Sequence, residues 1–123
     1  SDARLQPSDV GYVNAHATST PVGDAVEARA IGTVFGNGPL VSSTKSMTGH
    51  EVGAAGSNEL IYTVLMMEDG FVAPTVNLTE PSEDCSDVLH VMGSAQAAEV
   101  DVSLSNSFGF GGVNTCLIVR RAA

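Results

Sequence analysis

Apolar residues fall on a two-residue beat over Val10-Gly11-Tyr12-Val13-Asn14-Ala15, which predicts a short β-strand running into the polar loop His16-Ala17-Thr18-Ser19-Thr20. Thr20-Pro21 then reads as a helix start, with Thr as N-cap, Pro at the first helical position and Asp24 in the first turn. Val22, Val26, Ala30 and Val34 recur at helical spacing, broadened by Ala25 and Ile31, and predict the buried face; Gly36 stops the helix. A second strand at Leu40-Val41-Ser42-Ser43-Thr44 leads into Lys45-Ser46-Met47-Thr48-Gly49-His50. The next helix, from about Val52 to Asp69, is apolar nearly all round (Ile61, Val64, Leu65, Met66, Met67), the mark of a buried helix. Gly53 and Gly56 in its first turns predict close backbone approach.

Val72 to Leu78 reads as extended, with Pro74 arguing for an edge or connecting piece, and Thr79 to Asp87 as an acidic loop. Val102-Ser103-Leu104-Ser105-Asn106 and Thr115-Cys116-Leu117-Ile118-Val119 read as strands around the turn Phe108-Gly109-Phe110-Gly111-Gly112. Strand, helix, strand, helix, then strands predicts an α/β fold with a mixed, mostly parallel sheet packed with helices.

The 123 residues make one domain's worth of chain. A hydrophobic content of 43% against 15% charged residues is globular and lean in charge, which hints at surface buried against a missing half or a second subunit. The net charge of −9, with no basic cluster beyond Arg120-Arg121, excludes a nucleic-acid footprint. No apolar run is long enough to span a membrane, and Cys85 and Cys116 show no disulfide-framework or metal spacing, so a reducing, cytoplasmic setting is expected. The opening Ser1-Asp2-Ala3-Arg4-Leu5 is neither a start methionine nor a targeting segment, and suggests a piece of something longer.

Three loops place polar groups just past apolar strands, where α/β sheets gather ligands and catalytic groups. His50 stands at the mouth of the second predicted helix, where the helix dipole and Lys45 both favour a neutral imidazole able to polarise a carbonyl; a helix cap is the alternative. His16, Thr18 and Thr20 suit a polar linker or phosphate-like group, or simply form a turn whose Thr20 caps the helix. Lys45, if buried, needs a partner, and Glu27 one helix away is a candidate; a surface lysine is the commoner case. Phe108 and Phe110 among glycines either gate an apolar tunnel or are core aromatics in a tight turn. Neither cysteine suits a nucleophile: Cys116 falls in a buried-strand context and Cys85 among acidic residues. His90 reads as a structural or surface strand histidine, and no metal site is expected.

Three stretches, in order, carry a family resemblance: Val13 to Asp24, Ser43 to His50 with Gly53-Ala54-Ala55-Gly56, and Asn106 to Asn114. Together they resemble the β-ketoacyl-acyl carrier protein synthases of classes I and II, over essentially the whole chain. The resemblance implies the C-terminal half of a thiolase-like fold spanning residues 1–123, and decarboxylating condensation of malonyl-acyl carrier protein with an acyl-enzyme thioester in fatty-acid elongation. His16 and His50 would stabilise the enolate oxygen. Lys45 and Glu27 would form an ion pair orienting them. Thr18 and Thr20 would bind the phosphopantetheine arm, which arrives on the carrier protein, so no resident cofactor is implied. The Phe110 backbone N–H would join the oxyanion hole while its ring gates the acyl pocket, and Phe108 would line the site. Implied partners are the acyl carrier protein, the N-terminal half of the same enzyme and, at full length, a second copy in a homodimer.

Two departures stand out. Ala17 replaces a glycine found in many members, and the nucleophilic cysteine belongs to the half not present here, so this chain alone is expected to be inactive. An acidic chain should also repel an acidic carrier protein, placing the basic docking surface on the other half. A non-catalytic partner subunit resembling a chain-length factor, or a polyketide ketosynthase domain, are the competing readings.

Overall fold

The apolar beat around Tyr12 and Val13 becomes the centre of a sheet. In the computed structural model, which describes residues 2–122, β1 (Tyr12–Asn14) is followed by α1 (Pro21–Phe35), β2 (Leu40–Ser42), α2 (Lys45–Thr48) and α3 (Ala55–Asp69). Then come β3 (Phe71–Val72), β4 (Leu89–His90), β5 (Gln96–Ala97), β6 (Val102–Gly109) and β7 (Val113–Arg120). The terminal Ser1 and Ala123 of the opening and closing segments lie outside the described residues.

The main sheet has the order β4-β2-β1-β6-β7, parallel except for the antiparallel β6–β7 hairpin, while β3 and β5 form a separate antiparallel pair. This is the expected mixed, mostly parallel sheet. In register, Val13 lies between Val41 and Leu104, and Asn14 between Ser42 and Ser105.

Because side chains alternate along a strand, that register gives the sheet two unlike faces. The face toward α1 is apolar: Val13, Ala15, Val41, Val102 and Leu104 pack with Ile31 and Val88. Toward α3 the same strands present Tyr12, Asn14, Ser42, Ser103 and Ser105, all buried. Buried polar groups need partners; Asn14 finds them on α3 and its approaches, Tyr12 and Ser42 find each other, and the Ser103 and Ser105 hydroxyls have none among the described residues. The Asn14 amide faces the hydroxyls of Thr63 (3.2 Å) and Thr44 (3.3 Å) and the Glu59 carbonyl (3.4 Å). The Tyr12 and Ser42 hydroxyls share a hydrogen bond of 2.9 Å, and burial pushes the phenol well above its ordinary range. Only at the far end does apolar packing resume, where Met66 and Met67 meet Tyr12, Val72 and Val91.

Two helix-face expectations are corrected. On α1 the sheet is met by Ala25, Glu27, Ala28 and Ile31, while Val22, Val26 and Val34 are 76%, 58% and 56% exposed. Ile31 joins the apolar sheet face and Glu27 turns inward beside it, which leaves the valine stripe outward. On α3 the inward positions are Ala55, Glu59, Thr63, Met66 and Met67, whereas Ile61, Val64 and Leu65 stand exposed. The helix is hydrophobic on its outer side because its inner side serves a polar network. β7 is exposed over Val113 to Ile118, so Cys116 is exposed rather than buried.

The boundaries also shift. Val52 to Ala54 form a 3-10 turn before α3, so His50 is not at the α-helix mouth, and the extended piece predicted over Val72 to Leu78 pairs regularly only at Phe71–Val72. Gly56 does provide close approach, since a Cβ there would stand 3.0 Å from the Ser107 hydroxyl; Gly53 has open space around it. Gly70 ends α3 in a left-handed conformation (φ 72°, ψ 39°).

The face assignment predicts that Ile31→Ala destabilises by about 2–5 kcal/mol and Val34→Ala by less than about 0.5 kcal/mol in urea denaturation. The reverse order would contradict the assigned faces.

Candidate active site

The site begins with an acid folded under a strand end. Glu27 is 4% exposed on the inner face of α1. Its Oε1 accepts the His16 backbone N–H (2.9 Å) and the Asn106 side-chain amide (2.9 Å), and its Oε2 accepts the Ala17 N–H (2.8 Å). One carboxylate thus ties α1, the loop after β1 and β6 together through charge-assisted bonds.

That clamp sets His16 against two other rings. The His16 and His50 centroids are 5.5 Å apart and nearly perpendicular (89°), and Phe108 lies 5.4 Å from His16 on β6. The three loops singled out in the sequence therefore converge. Burial, then Lys45, then His50 push the His16 pKa below its ordinary value, with Asp24 pulling the other way. His16 Nδ1 is buried without a hydrogen-bond partner among the described residues.

Lys45 corrects the expected pairing. Its ammonium forms a buried ion pair with Glu59 of α3, the two side chains being 4% and 1% exposed, and Glu27 is committed elsewhere. The physical reason is topological: Lys45 opens α2 and points with Thr44 and Asn14 to the α3 side of the sheet, whereas Glu27 lies on the α1 side. Burial raises the Glu59 carboxyl, and the Lys45 charge opposes that rise. Sequence reasoning missed Glu59. The available signal was an acid at the centre of an otherwise apolar helix stretch, which demands a cation.

A cleft of about 740 Å³ includes Thr18, Thr20, Lys45, His50 and Asn77 among its lining residues, while His16 and Phe108 are not among them. Thr20 has the extended backbone of an N-cap, but its hydroxyl makes no cap bond; its N–H instead donates to Asp24 (3.2 Å). Phe110 sits fully exposed at the tip of the β6–β7 turn, where Gly111 and Gly112 both take φ 82°, conformations open to glycine. His90 is occupied structurally, its Nε2 lying 2.7 Å from the Cys85 carbonyl oxygen. Chemically, two opposed imidazoles, one of them lining the cleft, can donate N–H groups to an oxygen on which negative charge develops.

Two outcomes follow from this geometry. Lys45→Met leaves Glu59 buried and unpaired, so it should cost about 3–5 kcal/mol in chemical denaturation, and adding Glu59→Leu should recover most of that. Equal losses in both variants would contradict the pairing. His16 should titrate below the ordinary histidine value of about 6.5 when followed by NMR. Since the unfolded chain then takes up the proton first, the stability this group contributes is complete above about pH 6.5 and is lost as pH falls toward the lowered value. A His16 titration above 6.5 would contradict the burial argument.

Residues 1–79 match the family model described as beta-ketoacyl synthase, C-terminal domain. The chain is 49% identical over 123 residues to 3-oxoacyl-[acyl-carrier-protein] synthase 2 of Coxiella burnetii, covering 98% of this chain and 30% of that protein. A solved beta-ketoacyl synthase from Burkholderia phymatum superposes with a TM-score of 0.96 at 43% identity, over 99% of this chain and 30% of that one. A type II polyketide ketosynthase, solved in complex with its acyl-carrier protein, gives 0.93 at 34% identity, over 99% and 30%. The chain therefore spans just under a third of the length of these relatives, and its thiolase-like α/β architecture is theirs. On the matched model, the identity and the superposition together, the chain belongs to the beta-ketoacyl synthase family, of which it carries the C-terminal domain.

Proposed function

We propose that this chain supplies the electrostatic side of the active site in a decarboxylating β-ketoacyl-acyl carrier protein synthase of fatty-acid elongation. The observation that carries the reading is the opposition of His16 and His50 at 5.5 Å, with His50 also lining the cleft. The malonyl thioester loses its carboxyl group as carbon dioxide, and the electron pair of the broken C–C bond moves into an enolate. His16 and His50 donate N–H groups to the enolate oxygen. The enolate carbon then attacks an acyl thioester held on a cysteine outside this chain, and that cysteine departs as thiolate.

The depressed His16 pKa supports the neutral donor this role needs. Thr18 and Thr20 line the cleft and hold the phosphopantetheine arm of the incoming carrier protein. Phe108 walls the site beside His16, and the exposed Phe110 gates it while its backbone N–H joins the oxyanion hole. Glu27 acts by holding the His16 backbone, and Lys45, paired with Glu59, supplies the positive field.

The isolated chain is inactive in this reading, because neither Cys85 nor Cys116 is a nucleophile; although Cys116 is largely exposed, partial desolvation of its thiol pushes its pKa up rather than down. The apolar outer face of α3 (Ile61, Val64, Leu65) and the exposed strand β7 receive the N-terminal half of the enzyme. The carrier protein as partner is supported by the solved ketosynthase complex; a homodimer in the cytoplasm is inferred from the family resemblance alone.

In the full-length protein, His50→Ala should lower malonyl-thioester decarboxylation by roughly 100-fold or more while acyl loading proceeds normally. Undiminished decarboxylation would contradict the assigned role.

A further inference from the structure

Gly23 is a poor fit to its own helix. It stands at the third position of α1, after Pro21 and Val22, with an ordinary helical backbone rather than a left-handed one. Glycine is the weakest helix former after proline, and the backbone conformation here does not require it. What the position requires is the absence of a side chain. A Cβ on Gly23 would stand 2.4 Å from the Thr20 hydroxyl oxygen and 3.8 Å from the Thr20 Cβ. The first separation is far inside van der Waals contact and the second is ordinary.

The Thr20 backbone has little freedom to relieve such a clash. Its carbonyl accepts the Asp24 N–H (3.1 Å) and its own N–H donates to the Asp24 carboxylate (3.2 Å), so it is tied to the first turn of α1 from both sides. The side chain must therefore turn about χ1, from one staggered position to another. The threonine Cβ carries a hydroxyl, a methyl and a hydrogen, and the methyl is no smaller than the oxygen it would replace. Only the hydrogen fits against a Cβ at position 23. Because the threonine Cβ is chiral, that leaves a single rotamer, in which the hydroxyl lies one full staggered step from its present direction.

This local exclusion bears on the cleft, since Thr20 is one of its lining residues together with Thr18 and Asp24. The Thr20 hydroxyl makes no capping bond to α1, so the helix terminus does not hold it in its present rotamer. The space left by the missing Cβ is what admits that rotamer.

We infer that Gly23 is a positioning residue: by lacking a Cβ it lets the Thr20 hydroxyl lie over the first turn of α1, in the direction that meets the phosphopantetheine arm. The inference rests on the arm-binding role of Thr20, and the test separates the two.

In the full-length protein, Gly23→Ala should raise KM for malonyl-acyl carrier protein roughly 3- to 10-fold, the loss of one hydrogen bond, with kcat unchanged. The melting temperature should hold or rise, because alanine is the better helix former. In a Thr20→Ala background no hydroxyl is left to displace, so Gly23→Ala should raise KM no further. A rise there equal to that in the unsubstituted protein would overturn the inference, since alanine would be acting on something other than the Thr20 hydroxyl. A joint fall in kcat and melting temperature would overturn it too, as the mark of a merely structural role. Thr20→Ala alone is the reference. If its KM is unchanged, the arm-binding role of Thr20 fails and the inference with it. If its KM rises while that of Gly23→Ala does not, only the positioning inference fails.

Discussion

The arrangement depends on one buried carboxylate. Glu27 accepts two backbone N–H groups from the loop after β1 and a side-chain amide from β6, all within 2.9 Å. A buried acid is costly unless its oxygens are well supplied with donors. Here three donors come from two segments far apart in sequence, and only the folded sheet brings them to one place. The interaction therefore stabilises the site only after β1 and β6 have paired, which couples the site to the topology. It also explains why Ile31 rather than the valine stripe faces the core: α1 must be rotated so that Glu27 points inward.

The opposite face follows a complementary logic. Asn14, Thr44 and Thr63 form a hydrogen-bonded cluster under α3, beside the Tyr12–Ser42 hydroxyl pair and closed toward the site by the Lys45–Glu59 pair. Such a layer is less forgiving than an apolar one, because each group depends on its neighbours for satisfaction. It holds α3 in one register against the sheet and thereby fixes where the preceding connection, and His50, must lie. The two histidines are thus held by different means, His16 by an acid on one face of the sheet and His50 by a helix docked on the other.

Much of this was legible in the chain. The strand beats at Tyr12–Asn14 and Leu40–Ser42, the proline-led start of α1, and the glycine-rich hairpin all match local rules that tertiary structure did not override. His16, His50 and Phe108 converge as the three polar loops suggested. What periodicity could not supply was which side of each helix faces the sheet. The valine stripe on α1 and the apolar run on α3 both look like core, because periodicity marks a hydrophobic face without naming its partner. Both faces are exposed in this chain, and for α3 the proposed partner is the remainder of the protein. The lysine's partner was missed for a related reason: Glu27 and Glu59 are equally available in sequence, and only the sidedness of the sheet separates them.

The central claim is that the Glu27 carboxylate holds the His16 loop in place, and amide hydrogen exchange tests it most directly. Comparing the full-length protein with its Glu27→Gln variant, the His16 and Ala17 amides should exchange roughly 10- to 100-fold faster in the variant, the loss expected for a charge-assisted hydrogen bond. Amides in the β1–β2 ladder should change far less. Unchanged protection at His16 and Ala17 would mean that the loop is held by something else, and the account of the site would be wrong.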